Sequence, residues 1–279
     1  MKLRAGIYQL AFPRPTLVMG IVNVTPDSFS DGGQFFDATA AIAHGRELAR
    51  QGADLIDVGG ESTRPNAGPV SVEEEIRRVV PVIGSLAAEL SVPISVDTNK
   101  PAVARAALAA GATIVNDVCA NRSAPEMWEV AAAAGAGYVC MHMQGDPPNM
   151  QTNPTYQDVV REVAEFFQDR LERLTAAGLE SDQIVLDIGI GFGKTVEHNL
   201  KLLGGLRHFG KFERPLMCGI SRKSFLGSLL GVEVAARLPA SLAGACWAVC
   251  AGAHIVRTHD VAPTVQALRL TEALQGESN

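Results

Sequence analysis

A closed barrel of eight parallel strands, each followed by a helix, is the fold this sequence predicts: a single (β/α)8 TIM barrel with a short N-terminal extension. Three observations carry that expectation. Short runs rich in Val and Ile recur eight times along the 279 residues. Each run is continuously apolar instead of alternating, as strands buried on both faces are. Amphipathic helical stretches separate the runs. A doubly wound open sheet is the structural rival, but its usual count of about five or six strands fits less well.

The elements come in order along the chain. Residues 1–16, with Pro13 and Pro15, read as an extension lying against the barrel floor, and residues 17–279 as the barrel domain. The eight runs are 17–22, 55–58, 94–96, 113–115, 138–141, 184–188, 216–218 and 254–257. Ser71-Val72-Glu73-Glu74 reads as a capping box opening a helix in which Ile76, Val79, Val80 and Ile83 share a face. Pro81 is expected to kink that helix. Pro101, after Lys100, marks the first turn of another. Val159, Val163, Phe166, Phe167, Leu171 and Leu174 form one stripe that stops at Gly178, a natural C′ residue.

Composition narrows the function classes. With 47% hydrophobic and 19% charged residues, the chain is neither disordered nor fibrous. A net charge of −6 leaves no basic footprint for nucleic acid. No apolar run approaches the ~18 residues of a membrane span, and Met1-Lys2-Leu3-Arg4 opens no secretion signal, so a cytoplasmic chain without membrane or nucleic-acid partners is expected. The five cysteines lack metal-ligand spacing. Cys140 and Cys218 lie inside apolar runs, Cys246 and Cys250 on an Ala-rich helix, and all four are read as core residues.

The polar residues at the ends of the runs are more telling. Asn23, Asp57, Asp97, Asn116 with Asp117, His142, Asp187, Ser221-Arg222-Lys223, and Arg257 with His259 stand at or just beyond the eight strand ends. Side chains at the carboxyl ends of barrel strands converge on one mouth, where barrel active sites are built. Asp97, Asn116 and Asp187 offer acceptors suited to the donor edge of a planar heterocycle. Arg64, Lys223, Arg257 and His259 offer donors and positive charge for a phosphate or carboxylate. The pairing implies a heterocycle with a phosphorylated arm. Gly189-Ile190-Gly191-Phe192-Gly193-Lys194-Thr195 imitates a P-loop, yet Ile188 stands where that motif needs glycine, and a glycine-rich turn is the better reading.

Longer motifs then point to a family. Residues 19–33, MGIVNVTPDSFSDGG, resemble the first signature of the dihydropteroate synthases, and residues 56–65, IDVGGESTRP, resemble the second. Further similarities in the same order are ISVDT at 94–98, NDV at 116–118, MHMQG at 141–145, GFGK at 191–194, SRKSFLG at 221–227 and RTHDV at 257–261. The resemblance implies a (β/α)8 barrel enzyme of folate biosynthesis. Such an enzyme condenses 6-hydroxymethyl-7,8-dihydropterin pyrophosphate with p-aminobenzoate, giving 7,8-dihydropteroate and pyrophosphate, with Mg²⁺ as cofactor, a homodimeric assembly and sensitivity to sulfonamides. By matching motif it assigns Asp97, Asn116, Asp187 and Lys223 to the pterin. Asn23, Arg64, Arg257 and His259 fall to the pyrophosphate, and Asn23 also to the metal. Thr63, Pro65, Phe192 and Ser224 fall to p-aminobenzoate. Asp97, Lys223, Arg257 and His259 carry the catalysis in this reading. The chain departs from the family's usual pattern at Ile188, where proline is common, and at Cys119-Ala120.

Two rivals share parts of this pattern. A pterin-dependent methyltransferase on a similar barrel handles no pyrophosphate, so Arg64, Arg257 and His259 count against it. A non-catalytic pterin-binding paralogue would lack a pocket residue, and none is missing. The Ala-rich stretch 235–253 is a candidate interface helix, though packing on the barrel explains it equally well.

Overall fold

A computed structural model describes residues 1–25, 38–62, 68–120, 125–146 and 149–276. An antiparallel hairpin comes first, β1 (Lys2–Ala5) and β2 (Tyr8–Ala11). Eight parallel strands then close a barrel: β3 (Leu17–Asn23), β4 (Leu55–Gly59), β5 (Ile94–Asp97), β6 (Ile114–Asp117), β7 (Gly137–Met141), β8 (Ile184–Asp187), β9 (Leu216–Gly219) and β10 (Ile255–Thr258). Neighbours follow chain order, and β10 pairs with β3 to complete the ring. All eight predicted runs are strands. The closed ring settles the choice against an open sheet.

Helices α1 (Ala38–Arg50), α2 (Val72–Glu89), α3 (Pro101–Ala109), α4 (Glu126–Ala133), α5 (Val159–Ala176) and α6 (Val196–Gly204) each follow one strand. Two helices, α7 (Ser224–Leu230) and α8 (Leu238–Cys250), separate β9 from β10, and α9 (Val261–Gly276) follows β10. Val159, Val163, Phe167 and Leu174 of the α5 stripe are buried, with Phe166 and Leu171 partly buried against the same core. Gly178, beyond the end of the helix, takes φ +96°, a conformation that costs glycine little. At α2, Ser71 caps the helix by accepting from the Glu74 N–H. The expected reciprocal half is replaced: the Glu74 carboxylate is held by Arg77 and Arg78. The helix runs unbroken through Pro81, which lies exposed, so water can serve the carbonyl that its missing N–H leaves unpaired.

The barrel interior has a floor. Leu17, Met19, Leu55, Ile114, Val139, Val185, Met217 and Ile255 cluster with Leu3, Ala5 and Phe12 of the N-terminal segment. Arg4 ties that segment down through Asp182 and Gln183, and the Gly6 N–H donates to the Gly135 carbonyl. Alternate strand residues, among them Val18, Ile56, Val96, Val115, Leu186 and Cys218, pack outward in the larger cluster shared with the helices. Parity along each strand therefore decides which side chains can meet inside the barrel.

Candidate active site

Two residues beyond the floor, on the same face of four of the strands, the interior turns polar. Leu55 is followed by Asp57, Ile114 by Asn116, Val185 by Asp187 and Ile255 by Arg257. Asp97 stands beside Asn116 in the β5–β6 register. These side chains meet. The Arg257 Nε donates to Asp57 at 2.6 Å and its Nη2 to Asp97 at 2.8 Å. The Asn116 Nδ2 donates to the same Asp57 oxygen at 2.9 Å.

The loop after β8 carries Asp187 into the same mouth. Gly189, Gly191 and Gly193 have φ of +66°, +82° and +61°, which glycine alone adopts readily. A Cβ at Gly189 would stand 1.9 Å from the His142 carbonyl oxygen. Glycine is thus required twice over there, by angle and by space. The Gly189 N–H donates to Asp187 at 2.8 Å. The loop also presents Phe192, whose ring lies 4.0 Å from the Lys223 ammonium, a cation–π contact. Lys194 turns away from the mouth and is buried, with its ammonium 3.0 Å from both His142 Nδ1 and the Phe192 carbonyl oxygen. It anchors the glycine-rich turn.

Electrostatics follow from this crowding. Burial pushes the Asp97 carboxyl up to about 7; Arg257 pulls it down, while Asp57 and Glu75 raise it further. Asp187 is also raised by burial, against the Gly189 N–H and the Lys223 charge. Lys223 is driven down to about 8 by burial, with Asp187 opposing and Arg257 adding repulsion. Arg257 resists the same burial because Asp57 and Asp97 hold its charge.

His259 lies at the C-terminal side of β10, and burial beside Arg257 and Arg222 lowers it to about 3. It is therefore a neutral donor at pH 7, not the positive charge the sequence suggested. Its Nδ1 is 3.0 Å from the Ser221 hydroxyl, which accepts from the His259 backbone N–H. Donating the hydroxyl proton to Nδ1 satisfies both groups and leaves the Nε2–H for a ligand. Arg222 is engaged by Asp260 at 2.5 Å. Asn23 ends β3, half-buried. Ser224 is exposed at the start of α7.

Asp97, Asn116, Asp187, Lys223 and Arg257 are thus linked by contact or charge, with Phe192 against Lys223. Thr63, Arg64 and Pro65 lie outside the described residues. Asp117, a strand-end residue expected at the mouth, is elsewhere. It faces the helix layer, accepting from the Tyr138 hydroxyl at 2.7 Å, and that hydroxyl accepts from Trp128. His142 packs against Phe166 of α5. Cys246 and Cys250 are half-buried: Cys246 packs against the core, and both line a surface cavity of about 700 Å³ with Trp247 and Leu274. The sequence placed Asp57 at the mouth without a ligand to hold, and singled out no role for Glu61, Glu75 or Lys100. Lys100 bridges Glu61 and the fully buried Glu75.

Comparison with known proteins agrees with this geometry. Residues 19–259 match the family of pterin binding enzymes. The dihydropteroate synthase of Escherichia coli K12 is 48% identical over 273 residues, covering 98% of this chain and 96% of that protein. The structure of the Yersinia pestis dihydropteroate synthase in a sulfonamide drug complex superposes with a TM-score of 0.93 at 46% identity, covering 99% and 100% of the two chains. That of Xanthomonas albilineans in complex with 7,8-dihydropteroate gives 0.89 at 44%, covering 99% of each. A polar mouth built on these strands, in a chain alike from end to end, has one reading: the chain belongs to the dihydropteroate synthase family of pterin binding enzymes.

Proposed function

We propose that this chain condenses 6-hydroxymethyl-7,8-dihydropterin pyrophosphate with p-aminobenzoate, releasing pyrophosphate and 7,8-dihydropteroate, and that sulfonamides compete for the p-aminobenzoate pocket. The observation that carries the reading is the buried set of acceptors, Asp97, Asn116 and Asp187, meeting the cations Lys223 and Arg257 at one barrel mouth. Three acceptors suit the amino and ring N–H donors of a pterin, and Lys223 supplies the donor for its ring acceptors. Breaking the methylene C–O bond early leaves a delocalised cation on the pterin. Asp97 and Asp187 stabilise that charge in a desolvated site, while the Arg257 N–H groups not engaged by carboxylates and the His259 Nε2–H receive the departing anion with Arg64. The arylamine is unprotonated near neutral pH and attacks the methylene without a general base. The acidic ammonium formed then gives its extra proton to water or to the departed pyrophosphate. Phe192, Thr63, Pro65 and Ser224 are its proposed surroundings.

The chemistry of the donor set fits Mg²⁺ held mainly by substrate. No cluster of three or more His, Cys, Asp or Glu able to hold a metal occurs among the described residues. Asn23 offers one hard oxygen at the mouth, suiting an ion that keeps waters and phosphate oxygens as its other ligands. When bound, that ion neutralises charge on the leaving pyrophosphate.

No helix among the described residues is long and apolar enough to cross a membrane, and a cytoplasmic homodimer is the proposed working form. Support for the dimer comes from exposed apolar side chains on α7, α8 and α9, chiefly Trp247 at 57%, Leu270 at 63% and Leu274 at 61%. The central test is pyrophosphate release from the pterin substrate with and without p-aminobenzoate. Release matched by dihydropteroate and dependent on the arylamine is expected. No release under saturating substrates would refute the assignment.

A further inference from the structure

Asp57 lies in the mouth but takes no direct part in the proposed chemistry. It is fully buried in the middle of β4. A single oxygen, Oδ2, accepts from Arg257 Nε and from Asn116 Nδ2. Its other oxygen has no hydrogen-bond partner among the described residues, and neither has the Asn116 carbonyl oxygen. A carboxylate only accepts, so the Asn116 amide must turn its NH₂ toward Asp57 and its carbonyl the other way. The orphaned carbonyl is an acceptor left for a ligand. On the other side, the bond to Nε fixes the plane of a guanidinium whose Nη2 rests on Asp97.

We propose that Asp57 is a positioning residue: one buried oxygen sets the amide of Asn116 so that its carbonyl reads the heterocycle, and seats the guanidinium of Arg257 that meets the leaving anion. The two halves of the substrate are thereby recognised in a common frame. Residues 57, 116 and 257 come from three strands, and β4 is adjacent to neither β6 nor β10. The alignment therefore depends on this crossing of the barrel interior. The inference rests on the proposed pterin chemistry and adds a residue to it.

The test is titration calorimetry with 6-hydroxymethylpterin on the folded, full-length protein. Asp57→Ala removes the acceptor, frees the amide to turn, and is expected to weaken pterin binding at least tenfold. Asp57→Asn keeps a carbonyl oxygen for both donors, and its NH₂ falls where the carboxylate oxygen had no partner. Binding should then return to within about threefold of the parent, as for a neutral hydrogen bond retained in place. Turnover at saturating substrates should fall in Asp57→Ala and recover in part in Asp57→Asn. If the alanine variant does not fold, Asp57→Ser, whose shorter hydroxyl cannot reach both donors, is read in its place and should weaken pterin binding to a similar degree. Unchanged pterin binding in a folded Asp57→Ala or Asp57→Ser protein, or equal losses for Ala and Asn, would overturn the role of Asp57. Failure of the parent protein itself to bind the pterin would instead overturn the proposed function.

Discussion

The floor and the mouth of the barrel interior are built from the same strands, two residues apart, and they differ in almost every physical respect. Leu55 and Asp57 share one face of β4 and are both fully buried. Leu55 meets Leu17, Met19 and the hairpin residues in a cluster of apolar side chains. Asp57 meets two donors and, among the described residues, leaves one oxygen without a partner. The floor gains stability from burial, roughly 25 cal/mol per Å² of apolar surface. The mouth places several carboxylates and cations where water would otherwise solvate them, and such groups cost stability unless paired. The site is therefore sustained by its neighbours: a packed floor carries a mouth whose groups are held in costly states for binding.

Substitutions can separate the two regions from either side. The largest stability effect is expected at the floor, where Leu55→Ala removes a fully buried side chain and should cost about 2–5 kcal/mol. Chemical denaturation should show that loss while pterin affinity of the folded fraction stays near the parent value. A variant of normal stability but impaired binding would mean that floor and mouth are not separable.

The next effect belongs to the mouth. Arg257→Ala should lower turnover about 10²–10³-fold, the usual consequence of losing one charged donor to a developing anion. Steady-state kinetics at saturating substrates reads it directly, and near-parental turnover would remove Arg257 from the leaving-group site. Asp187→Asn is milder in energy, about 1–3 kcal/mol, because an amide can set a donor against a donor of the pterin. Calorimetry should place that loss on the pterin and spare inorganic pyrophosphate.

The smallest effect is in pH. Asp97, raised to about 7, must be ionised to accept, and Lys223, lowered to about 8, must be protonated to donate. The kcat/KM for the pterin substrate should therefore fall below pH 7 and above pH 8, by about tenfold per unit on each limb. Arg257 pulls the Asp97 value down, so Arg257→Ala should move the acid limb to higher pH. The same shift bears on stability. A carboxyl whose folded value is raised contributes stability below its unfolded value, and that contribution is lost as pH rises through about 7. Urea titrations between pH 5 and 8 on a variant with Asp97→Asn should show the slope flattening.

Strand number, parallel order and most of the residues at the strand ends were legible in the chain alone. Eight apolar runs separated by helices have few other ways to bury both faces. Glycines at 189, 191 and 193 likewise announced a tight turn, since only that residue adopts the required angles cheaply. Side-chain direction was another matter. A strand buried on both faces has no polar alternation to reveal its parity, so Asp117 was read into the mouth along with Asn116, although it faces the helix layer. The pairing of Arg257 with Asp57 spans 200 positions and exists only because the ring closes between β10 and β3. The neutrality of His259, the raised Asp97 and the half-burial of Cys246 and Cys250 were decided by the same packing. Burial and neighbouring charge are properties of the assembled barrel, not of any segment of its chain.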